Sequence, residues 1–67
     1  MNKKIIQLIK VETLEGGETK TQRAAAVAVD DAQALELTGW QGADGTRINI
    51  HTVGMSDHPA QLLSMES

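Results

Sequence analysis

VAVDDAQALELTGW, residues Val27 to Trp40, decides the fold of this chain. Within it the apolar spacing changes from one suited to a strand to one suited to a helix. Asp30-Asp31-Ala32-Gln33 matches a capping box. In that pattern an Asp at the N-cap and a Gln three residues on each satisfy a free backbone N–H at a helix start. Val29 and Ala34 then occupy the staple positions. A cap marks a beginning, so the helix starts at Asp30 and runs over Asp31 to Thr38. Ala32 and Leu35 share one face, with Ala34 and Leu37 beside them. Gly39 suits the left-handed residue that closes a helix, and Trp40 behind it can fold back on the last turn. About two turns of helix are not stable alone in water, so a sheet must hold it. The competing reading is one Ala-rich helix over residues 20–38, since Ala is the best helix former. The Asp30 cap, and the lack of a clean helical stripe before it, favour strand then helix.

Working towards the N-terminus, Lys4 to Leu14 is rich in Ile and Val, which fit a pleated strand. Leu14-Glu15-Gly16-Gly17-Glu18 supplies a turn, because Gly-Gly can take positive φ at both central positions of a tight hairpin. A two-residue turn there pairs residues whose numbers sum to 33. Ile6 then faces Val27, Leu8 faces Ala25 and Lys10 faces Arg23. The other face sets Ile5, Ile9 and Val11 beside Ala24, Ala26 and Ala28. Small residues on a sheet face let a helix approach closely. One helix covers one face, so the second apolar face calls for a second subunit or a target. A turn of another length slips the register and swaps the faces.

Working towards the C-terminus, Gln41 to Gly45 is turn material, with Asp44-Gly45 the reversal. Trp40 to Ala43 offers a short edge strand. Thr46 to Val53 alternates: Thr46, Ile48, Ile50 and Thr52 point one way, and Arg47, Asn49, His51 and Val53 the other. This is a half-buried antiparallel strand. In the tail, Ser56 or Asp57 ahead of Pro59 is a helix start, and Ala60, Leu62, Leu63 and Met65 would form its apolar side. The expected architecture is a small α+β domain, ββαβ over residues 1–54. It has an antiparallel sheet of three strands, a fourth being available at Trp40 to Ala43, and one helix on one face. Residues 55–67 form a tail, a short helix or disordered. The first strand lies centrally, and the helix crosses over it in a right-handed connection.

Composition narrows the function classes. Sixty-seven residues allow one domain, and cores of that size supply about 3–5 kcal/mol. No Cys is present, which removes disulfides and thiolate zinc sites. Oligomerisation or docking remains as the supplement. A formal charge of −3 argues against a dedicated nucleic-acid binder. One Trp without Phe or Tyr argues against a base-stacking platform. Gln7 and Lys10 interrupt the apolar N-terminal segment, so it does not read as a secretory signal. No run approaches the ~18 apolar residues of a membrane span. The expected location is the cytoplasm, or the host cytoplasm for a phage-encoded chain.

Few residues suggest chemistry. Ser56-Asp57-His58 carries the letters of a hydrolase triad, but immediate neighbours diverge where a triad must converge. His51, Asp57 and His58 are acceptable metal ligands in a spacing that matches no metal motif. Gly16-Gly17 and the 41–45 loop do not lead from a strand into a helix as phosphate cradles do. No enzyme activity, cofactor or metal is expected. Lys10, Arg23, Arg47, Asn49 and His51 are the candidate partner-binding set. Lys10 and Arg23 would be like charges placed opposite each other, which is unfavourable unless an acidic group or water separates them. Against this stands the plain alternative of a solvated charged face. Trp40 reads as a core residue before an interface anchor.

The order of hairpin, short helix, Gly-bearing loop and strand resembles small phage anti-CRISPR proteins that act on type I surveillance complexes. The residues carrying the resemblance are Thr21-Gln22, Ala24-Ala25, Asp31 to Leu37, and Arg47-Ile48 through Thr52-Val53-Gly54, within residues 5–54. The resemblance implies binding to subunits of such a complex and blocking of DNA engagement without catalysis, and it assigns no residue a role. The leading expectation is therefore a non-enzymatic inhibitor or interaction protein with a protein or nucleoprotein partner, acting as a homo-oligomer, a dimer. Nucleic acid enters only indirectly. The alternatives are a small nucleic-acid-associated regulator using the basic residues, and a structural homo-oligomer subunit.

Overall fold

The computed structural model describes residues 2–66, and Asp30 is the pivot within it. Strand β2, Thr19–Ala28, ends just before it, and helix α1, Asp31–Thr38, begins just after it. The Asp30 carboxylate accepts from the Gln33 backbone N–H at 2.8 Å, and the Gln33 side-chain oxygen accepts from the Val29 N–H at 2.8 Å. The return bond reaches one residue further back than in a standard capping box. Removing such a cap costs about 0.5–2 kcal/mol. Gly39 closes the helix at φ +73, its N–H donating to the Glu36 carbonyl. The Thr38 hydroxyl donates to the Leu35 carbonyl and accepts from the Trp40 N–H. This latch turns Trp40 back over the sheet.

Strand β1, Lys3–Thr13, pairs antiparallel with β2 on one side and with β3, Thr46–Ser56, on the other. The central place of β1 is therefore as expected. The fourth strand is not. Trp40 to Ala43 is irregular, and the tail forms strand β4, Gln61–Glu66, on the outer edge of β2. The sheet order is β3-β1-β2-β4. The short helix or disorder expected over residues 55–67 is replaced by the end of β3, a connection and this strand, with Ser67 outside the described residues. Gln, Leu, Met and Glu are good helix formers in isolation. Here the open backbone edge of β2 outweighs that preference.

The hairpin register also differs. Partners sum to 32, as in Leu8↔Ala24 and Ile6↔Ala26. The loop is one residue longer than a two-residue turn. Gly17 donates to the Leu14 carbonyl, Leu14 donates to Glu18, and both Gly16 and Gly17 have positive φ. One residue of slip exchanges the faces of β1 relative to β2. Ile6 and Leu8, not Ile5, Ile9 and Val11, lie beside Ala24, Ala26 and Ala28 under the helix. Ala34 of the helix enters this layer fully buried, with Leu35, Leu37, Trp40 and Ile50 around it. The alanine stripe thus does admit a close helix.

Both outer strands carry a bulge near the same level. Val53 is extra in β3 beside Ile5 and Ile6, and Leu63 is extra in β4 beside Ala25 and Ala26. The described residues span 46 × 17 × 16 Å. Eleven-residue strands are about 36 Å long, whereas eight helical residues rise about 12 Å. The helix therefore covers about a third of the sheet's length. Beyond it the same face turns polar, with Glu12, Lys20, Gln22 and Thr46. No helix among the described residues is long and apolar enough to cross a membrane.

Candidate functional site

Among the described residues no helix or second sheet lies over the face of the sheet away from α1. Antiparallel partners point to the same side, so the registers place its residues in rows. Running from β3 through β1 to β2, one row is Arg47, Val11 and Thr21. The next is Asn49, Ile9, Arg23 and, on β4, Glu66. The third is His51, Gln7, Ala25 and Ser64. Past the two bulges come Gly54, Ile5, Val27 and Gln61. Ile5 lies against Gly54, where an added Cβ would meet its Cδ1 at 3.4 Å.

Ile5, Ile9 and Val11 form a half-buried apolar stripe down the middle. Exposed Arg47, Asn49 and His51 line one side of it, and exposed Arg23 the other. Two shallow depressions adjoin the stripe. One, of about 510 Å³, is bounded by Val11, Thr19, Arg47 and Asn49 among others. The other, of about 250 Å³, lies between Gln7, Arg23, Ser64 and Glu66. Residues 57–60 cross one end of the sheet, from Ser56 beside Lys3 to Gln61 beside Val27, and Val27 is buried there.

Four of the five candidate residues, Arg23, Arg47, Asn49 and His51, share this face. Lys10 does not. The register pairs it with Gln22 and not with Arg23, so the expected like-charge pair does not form. Its ammonium lies 5.1 Å from the centre of the Trp40 ring on the helix side. A cation over an aromatic face is stabilised by about 0.5–1 kcal/mol at exposed sites. Lys10 therefore belongs to the packing of Trp40, and Trp40 is a half-buried core residue. Arg23 is separated from Asn49 by Ile9.

β4, which the sequence does not predict, adds three residues to the face: Gln61, Ser64 and Glu66. Glu66 sits directly beside Arg23, which places opposite charges together and makes this side of the face mixed in sign. Leu62 and Met65 are three apart, a helical spacing, and only the bulge at Leu63 puts them on one side of β4, so the residues carry no period-2 signal for this strand. His51 lies within β3, whereas Asp57 and His58 lie in the β3–β4 connection. Among the described residues no three His, Asp or Glu side chains gather closely enough to hold a metal ion. The Ser56 hydroxyl accepts from the His58 backbone N–H at 3.1 Å, a local turn bond. Comparison with known proteins finds no matching family, curated protein or solved structure.

Proposed function

We propose that the chain is a non-enzymatic interaction protein that docks a protein or nucleoprotein partner on the open face of its sheet. The observation that carries the reading is the uncovered Ile5, Ile9 and Val11 stripe, flanked by Arg23, Arg47, Asn49 and His51. Such an arrangement, apolar at the centre with a polar and Arg-bearing rim, has the anatomy of a protein interface. The two depressions give a partner's side chains somewhere to enter. A phage-encoded inhibitor of a surveillance complex is a concrete form of this reading, and the resemblance in strand and helix order supports it.

The test is site-specific photo-crosslinking in host lysate, with the crosslinking residue placed at Asn49 on the open face or at Glu36 on the outer side of α1. Discrete adducts are expected at Asn49 alone. Equal adducts at both positions, or none at Asn49, would overturn the reading. A salt series decides against the nucleic-acid alternative. Capture through phosphate contacts falls steeply with salt, whereas docking on the apolar stripe persists.

A further inference from the structure

The core rows run out to the β4 edge and stop unfinished. One row reads Thr52, Ile6, Ala26, Leu62, and the next reads Ile50, Leu8, Ala24, Met65. Their inner members are buried, yet Leu62 is 37% exposed and Met65 43% exposed. The bulge residue Leu63 beside them is 51% exposed. All six residues of β4 are exposed, and among the described residues no strand pairs with the backbone N–H and C=O groups of its outer side. Edges are protected by shortness, bulges, Lys, Pro or an inward-pointing charge. β4 is six residues long and has the bulge at Leu63, but Gln61 to Met65 carries no charged or Pro gatekeeper.

We infer that β4 pairs antiparallel with β4 of a second copy of this chain, joining two sheets into one of eight strands. A two-fold axis needs a patch that complements itself, and this strand is suited to one. Its only charge, Glu66, sits at one end. Antiparallel pairing sends the two Glu66 carboxylates to opposite ends, roughly five residues or 17 Å apart. A parallel or displaced arrangement would bring them together. The pairing satisfies the edge backbone and sets Leu62 and Met65 against their copies, so the two helix-side cores continue through the junction. An axis perpendicular to the sheet keeps both helices on one side and both open faces on the other. This inference stands apart from the reading of the open face, since it uses the opposite side and the edge.

Light scattering over roughly 1 μM to 1 mM is the first test. The expected mass is twice the 7.2 kDa of the chain, and a monomer throughout would overturn the inference. Leu63→Lys should raise the dimer dissociation constant by about tenfold or more. Val53→Lys, at the matching bulge of the other edge, should leave it unchanged. The reverse order overturns the proposal. The chain has no Cys, so spin labels on Ser64→Cys or Val53→Cys report distance even where charge variants fold poorly. Ser64 labels should lie within about 20 Å of each other, and Val53 labels about seven strand spacings apart, roughly 34 Å. Close Val53 labels, or no coupling at Ser64, would overturn it.

Discussion

The two faces of this sheet are built from the same three long strands and end in opposite states. On the helix side, alanines at 24, 26 and 28 leave room for α1, and Ile6 and Leu8 fill the remaining space. On the open side, Ile9 and Val11 alternate with the same residues of β1 but meet Thr21, Arg23, Asn49 and Arg47 as neighbours, while Ile5 meets Val27 and Gly54. Apolar content in β1 is thus nearly equal on its two sides. What differs is the size and polarity of the strands beside it. Small partners invite a second layer, whereas long polar partners leave Ile9 and Val11 half-buried with no helix over them.

Paired substitutions across β1 and β2 break this comparison most sharply. Leu8→Ala should cost about 2–5 kcal/mol, which is most of what a core this small supplies. Ile9→Ala, on the half-buried open side, should cost far less. Urea denaturation followed by circular dichroism measures both, and equal losses would show that the open face is packed as well as the helix face. Ala26→Leu forces volume under α1 and should cost about 1–3 kcal/mol. Ala25→Leu, one residue away and pointing to the open side, should stay within about 0.5 kcal/mol of the parent. Lys10→Ala sharpens the boundary of the helix face. It removes the cation from Trp40 and should cost at most about 1 kcal/mol, with a shift in Trp fluorescence. Arg47→Ala should leave that fluorescence unchanged.

The parts of this fold legible in the residues are those governed by local chemistry. Asp30 and Gln33 mark the helix start because capping acts within four residues. Gly39 and Asp44-Gly45 mark the breaks because positive φ favours glycine. The alternation of Thr46 to Thr52 reports a strand with two unlike sides. The hairpin register was harder to read. Gly16-Gly17 suits a two-residue or a three-residue loop equally well, and only the pairing of the whole strands chooses between them. That choice moved Lys10 to the helix side and left Arg23, Arg47, Asn49 and His51 together. β4 was illegible for a different reason. QLLSME favours helix in isolation, and its strand is imposed by the unpaired edge of β2, over thirty residues away in the chain.

The central position of β1 sets the order in which this protein can assemble. Its pairing with β2 closes a short loop, on a timescale of about 1–10 μs for hairpins. Its other edge waits for β3, which ends roughly forty residues after β1 does. At synthesis rates of about 5–20 residues per second, that interval is on the order of 2–9 s. During it the nascent chain carries an Ile-rich strand with one side unpaired, and the alanine stripe has no helix on it until α1 emerges. A strand that lies between two others yet precedes both in the chain therefore has to hold one edge open until its later neighbour arrives.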